Sequence, residues 1–291
     1  MKYIRLLAFM MITCLNVTAQ DKIVESSGKY QNDAESNNLK GKVQSVTYYD
    51  YGVNNTTGAL YTNWTSKLVY NYNQAGNIAE WYIYKTTGQL DYHSVNCYNS
   101  KGRIVQSAAE NGKARNISSY KYNHNNKRNL VETLYREGRI SHRIIYNKLG
   151  KRDTTYSYTR GEKLNFKTVY RYDKKGNCIK ETRYKSNGNL ELTHNYVYDA
   201  QNNKIADHSY DSTGTKTGKI TYIYDKKRNL TFELDSNIRI IGGLPRKKEG
   251  KDTYSRTFKY EMFDEQGNWL MKSYMMDDKP IHVTKRKITY Y

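Results

Sequence analysis

A Tyr-x-Tyr-Asp/Asn step returns along this chain at a nearly fixed interval, and that return limits what the chain can fold into. Strong copies are Tyr70-Asn71-Tyr72-Asn73, Tyr120-Lys121-Tyr122-Asn123, Tyr170-Arg171-Tyr172-Asp173, Tyr196-Val197-Tyr198-Asp199 and Tyr222-Ile223-Tyr224-Asp225. Weaker ones are Asn96-Cys97-Tyr98-Asn99 and Ile144-Ile145-Tyr146-Asn147. The second tyrosines fall at 72, 98, 122, 146, 172, 198 and 224, so the period is 24 or 26 residues. A displaced eighth copy, Glu261-Met262-Phe263-Asp264, follows 39 residues later. A fixed period of this length marks an array of supersecondary units rather than one irregular domain.

Each unit holds two turn signals, as in Asp173-Lys174-Lys175-Gly176-Asn177 and Lys185-Ser186-Asn187-Gly188-Asn189. Asp or Asn opens the turn and glycine at positive φ closes it, which is hairpin chemistry. Between the turns the residues alternate: Leu190, Leu192, His194, Tyr196 and Tyr198 share one face and Glu191, Thr193, Asn195 and Val197 the other. That is the period of a half-buried strand. With 31 Tyr against 5 Phe and 3 Trp, phenol rings must supply much of the buried surface. The expectation is an all-β fold: tandem hairpin repeats of about 26 residues forming a long, curled antiparallel sheet of roughly sixteen strands, its tyrosine face closing over itself as the core.

Residues 1–19 read as a signal peptide: Lys2 and Arg5, an apolar run from Leu6 to Leu15, then Val17-Thr18-Ala19 before cleavage. A rival reading makes Cys14 a lipidation site, but Met11-Ile12-Thr13 match that pattern poorly. No later apolar run is long enough to span a bilayer, so an exported chain without a transmembrane segment is expected, in periplasm, at the surface or in the medium. Residues 20–38 are polar and read as a flexible tether, with the repeat domain over 39–291. An insertion at 235–252, with Arg246-Lys247-Lys248, breaks the array. Lys285-Arg286-Lys287 in the last strand would guard an exposed edge. Cys97 and Cys178 lie about six strands apart, too far to pair, and read as two free thiols.

The stretch Tyr170-Arg171-Tyr172-Asp173-Lys174-Lys175-Gly176-Asn177 resembles the repeat of the bacterial Rhs, or tyrosine–aspartate (YD) repeat, proteins. The run from Phe263 to Trp269, with the close at Lys285 and Tyr291, looks like the end of small exported members of that group. The resemblance implies a curled β-shell and carbohydrate binding. The large members enclose a toxic carboxy-terminal domain. This chain has fewer repeats than such a cocoon needs and ends inside the repeat, so the toxin role does not transfer.

Catalytic patterns are absent from the sequence. The six histidines are scattered without metal-ligand spacing, and no nucleophile elbow or phosphate loop occurs. Asp173, Asp199, Asp225 and Asp264 recur before turns, where a carboxylate accepts turn amides. No enzyme, cofactor or metal is expected. The formal charge of +20 is more directive. Lys127-Arg128, Lys174-Lys175 and Lys226-Lys227-Arg228 sit in first turns, which a meander aligns along one rim. A basic rim attracts polyanions. Counted by alternation from Tyr72, Tyr82 and Tyr84 share the core face and Trp81 points outward, free to stack on a sugar; a bulge would reverse this. Trp64 and Trp269 fall on the core face by the same count. The leading expectation is therefore a non-enzymatic binding module for anionic polysaccharide or an envelope component, through Trp81, Lys174, Lys175, Lys226, Lys227 and Arg228. The alternative is a scaffold that binds other proteins through sheet edges or the 235–252 insertion. Nucleic acid ranks third, since export makes access to it incidental, and a hydrolase fourth.

Overall fold

The computed structural model describes residues 32–54, 56–112, 114–125, 130–236, 253–276 and 279–291. The signal sequence, Cys14, Lys127, Arg128 and residues 237–252 of the insertion lie outside the described residues. The strands are β1 (Val43–Gly52), β2 (Ser66–Tyr72), β3 (Ile78–Tyr84), β4 (Leu90–Tyr98), β5 (Ile104–Glu110) and β6 (Arg115–His124). Then come β7 (Leu130–Arg136), β8 (Arg139–Tyr146), β9 (Arg152–Tyr158), β10 (Leu164–Tyr172), β11 (Cys178–Lys185) and β12 (Leu190–Tyr198). The last six are β13 (Lys204–Asp211), β14 (Lys216–Tyr224), β15 (Leu230–Ser236), β16 (Thr253–Phe263), β17 (Trp269–Met276) and β18 (Lys279–Tyr290). The eight repeats make β2 to β17; the flanking segments add β1 and β18 and bring the described strands to 18.

All strands belong to one antiparallel sheet in chain order, and that sheet closes on itself. β1 pairs with β2 through Tyr48 and Leu68, and with β18 through Tyr48 and Arg286. Closure leaves no unpaired edge among the described strands, which removes the edge route of the scaffold reading. It also corrects the expected guard role of Lys285-Arg286-Lys287. Lys285 and Lys287 are exposed on the outer face, but Arg286 points inward and is buried, with its guanidinium 3.8 Å from the Trp269 ring.

A ring of 18 strands is wide enough to surround a lumen. The tyrosine face therefore lines the inside of a shell instead of closing over itself as expected. Tyr48, Tyr70, Tyr196, Tyr222 and Tyr260 are only half-buried, while Tyr72 is 3% exposed. The densest apolar packing is at the seam, where Val43, Val46 and Tyr72 meet Ala34, Leu39, Ile288 and Tyr290. Burying Val46 fully is worth ~2 kcal/mol. Outside, mid-strand Lys121, Lys219, Lys259 and Lys285 are exposed. Each such cation at a bilayer midplane would cost about 2–4 kcal/mol, so this outer wall suits water and not lipid. No described helix is long and apolar enough to cross a membrane.

Residues 32–38 depart from the tether reading. They form the one-turn helix α1 (Asp33–Ser36), with the Asn32 side chain capping Glu35 N–H at 2.8 Å. Ala34 N–H donates to Gly76 O at 2.9 Å, and Asp33 accepts from Ile78 N–H at 2.7 Å. Ala34 and Leu39 supply the apolar pegs that fix this turn against the ring. Of the cysteines, Cys178 is a free thiol, as expected. Cys97 is buried and is not a free thiol, which corrects the expectation of two.

Candidate binding sites on the two rims

The repeat motif is first of all a device for making one rim. Asp173, Asp199, Asp225 and Asp264 each accept the backbone N–H of the asparagine four residues on, at 2.8 Å in all four turns. Each also accepts from that asparagine's side chain. At Asp173 and Asp199 burial raises the carboxyl pKa, but the hydrogen bonds from Asn177 and Asn203 outweigh it and hold both below the usual range. The turn reading of the aspartates is what the geometry gives.

Just past most first turns the register slips by one residue, as between Asn71/Tyr72, Cys97/Tyr98, Val197/Tyr198 and Ile223/Tyr224. A bulge leaves a carbonyl short of its ladder partner. The motif's second tyrosine reaches across to the first residue of the preceding strand: Tyr98 to Ile78 O at 2.8 Å, Tyr122 to Ile104 O at 2.7 Å, Tyr172 to Arg152 O at 2.7 Å, Tyr198 to Cys178 O at 2.8 Å and Tyr224 to Lys204 O at 3.0 Å. Burial pushes the Tyr198 phenol up to about 12, so it stays a donor.

The bulge also settles Trp81. Asn71 pairs with Glu80 but Tyr72 with Ile78, so Ala79 is the extra residue and alternation counted across it is inverted. Trp81 pairs with Tyr70 and lies on the inward face, 6.2 Å from that ring and 4.5 Å from the ring of Tyr92. It is an inner-wall stack, not an outward platform. Trp269 is inward as expected, beside Tyr48 and Tyr260. Trp64, expected on the core face, packs on the outward-facing Tyr49 at 6.5 Å.

Lys174, Lys175, Lys226, Lys227 and Arg228 are exposed on the first-turn rim. The two groups are separated by four strands, roughly 19 Å along the rim, so they do not form one cluster. Lys226 and Arg228 line a hollow of about 520 Å³ with Tyr222 and Tyr224. Arg228 adopts φ +67° and donates from Nε to Asn203 Oδ1 at 2.9 Å, while Lys227 Nζ lies 3.9 Å from the Phe263 ring centroid. Asp199 and Asp225 also border the hollow, with oxygens engaged by their own turns.

Inside, charges are paired along the wall. His194 Nδ1 is 3.0 Å from Asp207 Oδ1, Arg256 bonds to Glu233, and Asp50 accepts from Thr284 at 2.7 Å beside His282. Burial lowers the pKa of Lys272 in this row, against the pull of Asp50. Among the described residues no group of three His, Cys, Asp or Glu side chains is placed to hold a metal ion.

The opposite rim holds a cavity that sequence reasoning missed. It measures about 580 Å³ and is walled by Arg136, Arg139 and Arg160 with Tyr92, Tyr120 and Tyr158. Its arginines come from two separate second turns, so no local motif announces it.

No curated protein sequence matches this chain. A family model described as an uncharacterised protein matches residues 35–160. Solved structures similar to it include a porin-like protein from Bacteroides uniformis, at 10% identity over 86% of this chain and 99% of that one, with a TM-score of 0.44. The Photorhabdus luminescens Tc holotoxin pore is similar at 13% identity over 77% of this chain, with a TM-score of 0.35. A TcdB2–TccC3 structure is similar at 12% identity over 75%, with a TM-score of 0.27. The matches cover 12% and 15% of those two toxin chains.

Proposed function

We propose that this protein is an exported, non-enzymatic binding module of the YD-repeat kind that holds an anionic glycan or a similar envelope polymer at its first-turn rim. The observation that carries this reading is the hollow in which Lys226 and Arg228 stand beside Tyr222 and Tyr224. Phenol faces suit the apolar side of a sugar ring, and a guanidinium suits a carboxylate or sulfate. The exposed Lys174 and Lys175 extend the same rim and would engage a longer polymer. Trp81, stacked on the inner wall, is outside this contact.

The test is an array of acidic and neutral polysaccharides probed with the purified protein at low and moderate salt. Retention of an acidic glycan is expected, weakening steeply with salt because exposed charges are screened. It should be lost in the triple variant Lys226→Ala, Lys227→Ala, Arg228→Ala and kept in Trp81→Ala. Silence across the array at both salts would overturn the reading.

A further inference from the structure

We propose that the second-turn cavity is a separate binding site for a carboxylate- or sulfate-bearing saccharide of one or two units. It does not depend on the rim reading, because it lies at the other end of the strands and uses other residues.

Three observations converge on it. The first is a concentration of positive charge, three arginines against the single carboxylate of Glu137 in the cavity wall. Arg136 and Arg139 are the final cross-strand pair of the β7–β8 hairpin, directly opposite one another, and Arg160 lines the same cavity from the next turn but one. Like charges opposed on a sheet destabilise it. Among the described residues, ion pairs are made elsewhere, and none of these three arginines takes part in one. The same charge acts inward: besides burial, Arg136 helps to lower the pKa of His142 on the inner wall. An oxyanion seated among three guanidinium groups would turn this repulsion into charge-assisted hydrogen bonding.

The second is backbone strain at residues that hold the arginines in place. Other second turns put glycine in the left-handed region, at Gly88, Gly188 and Gly214. In the two turns of this cavity a glutamate takes that conformation: Glu137 at φ +51°, beside Gly138 at φ +77°, and Glu162 at φ +57°. A side chain in that conformation is disfavoured and persists where surroundings hold it. They do: Glu162 Oε1 accepts Ile140 N–H at 2.8 Å, which ties the two turns together beside Arg139. Glu137 N–H reaches Ile117 O at 3.4 Å.

The third is size and lining. About 580 Å³ falls in the range of small-ligand pockets and fits a disaccharide better than a macromolecule. Tyr92, which lines it, also packs against Trp81 with ring centroids 4.5 Å apart, so the cavity opens onto an aromatic stretch of inner wall. Arginines select for the anion; the tyrosines supply ring faces and hydroxyls for the rest of the sugar.

The experiment is titration calorimetry of the purified protein with digalacturonate, a sulfated heparin disaccharide and neutral maltose. Binding of at least one anionic disaccharide and none of maltose is expected. Arg136→Gln, Arg139→Gln and Arg160→Gln should each weaken it by about tenfold, as loss of a hydrogen bond to a charged group does. The Lys226→Ala, Lys227→Ala, Arg228→Ala variant should leave it within twofold. Arg139→Gln should also raise the melting temperature without ligand, which shows that the variant is folded and the pair repulsive. The proposal fails if neither anion binds, if maltose binds as well as the anions, or if the glutamine variants bind like the parent. Loss in the rim variant alone would move the ligand to the rim and overturn this site while leaving the rim reading standing.

Discussion

Tyr98, Tyr122, Tyr172, Tyr198 and Tyr224 all direct the hydroxyl to a backbone carbonyl near a register slip, so the repeat's signature residue closes a gap that the repeat's own bulge opens. Tyr198→Phe removes the bond to Cys178 O and nothing else. A loss of about 1–2 kcal/mol is expected in urea unfolding, the cost of stranding a half-buried carbonyl. An unchanged midpoint would mean that water serves that carbonyl equally well. The role of the aspartates was legible in the sequence because an Asx turn is made within five residues. The partner of each tyrosine was not, since it lies 18 or 20 residues back. Trp81 was misplaced for a related reason: one inserted residue, Ala79, inverts alternation, and nothing in the sequence around it marks the insertion.

At the level of the hairpin, glycine does most of the turning. Gly188 has φ +86° and nothing within 4 Å of where a Cβ would stand, so Gly188→Ala tests backbone conformation alone. It should cost about 1 kcal/mol in chemical denaturation. A smaller effect at that position would show that the turn can relax to another type. Four hairpin turns also place another residue in that conformation, at Glu137, Glu162, Asn202 and Arg228. Gly161 looks in the sequence like the residue that closes its turn, yet Glu162 next to it takes the left-handed conformation. That exchange was invisible because the stabilising partner, Ile140 N–H, belongs to another hairpin. The arginine cavity escaped the sequence for the same reason, while the basic first-turn rim was legible because all first turns fall on one side of a meander.

For the molecule as a whole, strand number followed from the period, but closure did not, because only the distance between β1 and β18 in space decides it. Folding also buries groups that titrate. Burial pushes the imidazoles of His93, His142 and His208 below the usual value of 6.5, and His93 is 3% exposed. Neutral in the fold, these rings accept protons more readily in the unfolded chain. Their contribution is therefore complete above pH 6.5 and is lost as pH falls through the folded values. The melting temperature should be lower at pH 5.5 than at pH 7.5, and His93→Gln should narrow that gap. Equal melting temperatures at both pH values would contradict the assignment. A further loss is expected below pH 3.8, where Asp50 and Asp264 are held ionised by hydrogen bonds that outweigh burial.

The seam has a meaning in time as well as in space. Every other pairing joins strands adjacent in the chain, and so can form as soon as both have been made. The seam brings Ser45 Oγ to 2.7 Å from Thr289 Oγ1 across 244 residues, and Tyr291 N–H to 3.0 Å from Lys42 O. Until the last dozen residues arrive the protein is an unfastened belt with two live borders, and the final strand is its buckle. A belt carries no instruction about where the buckle must be. Joining Tyr291 to Lys42 and cutting at another turn would give the same hoop, fastened at a different point and completed by a different strand.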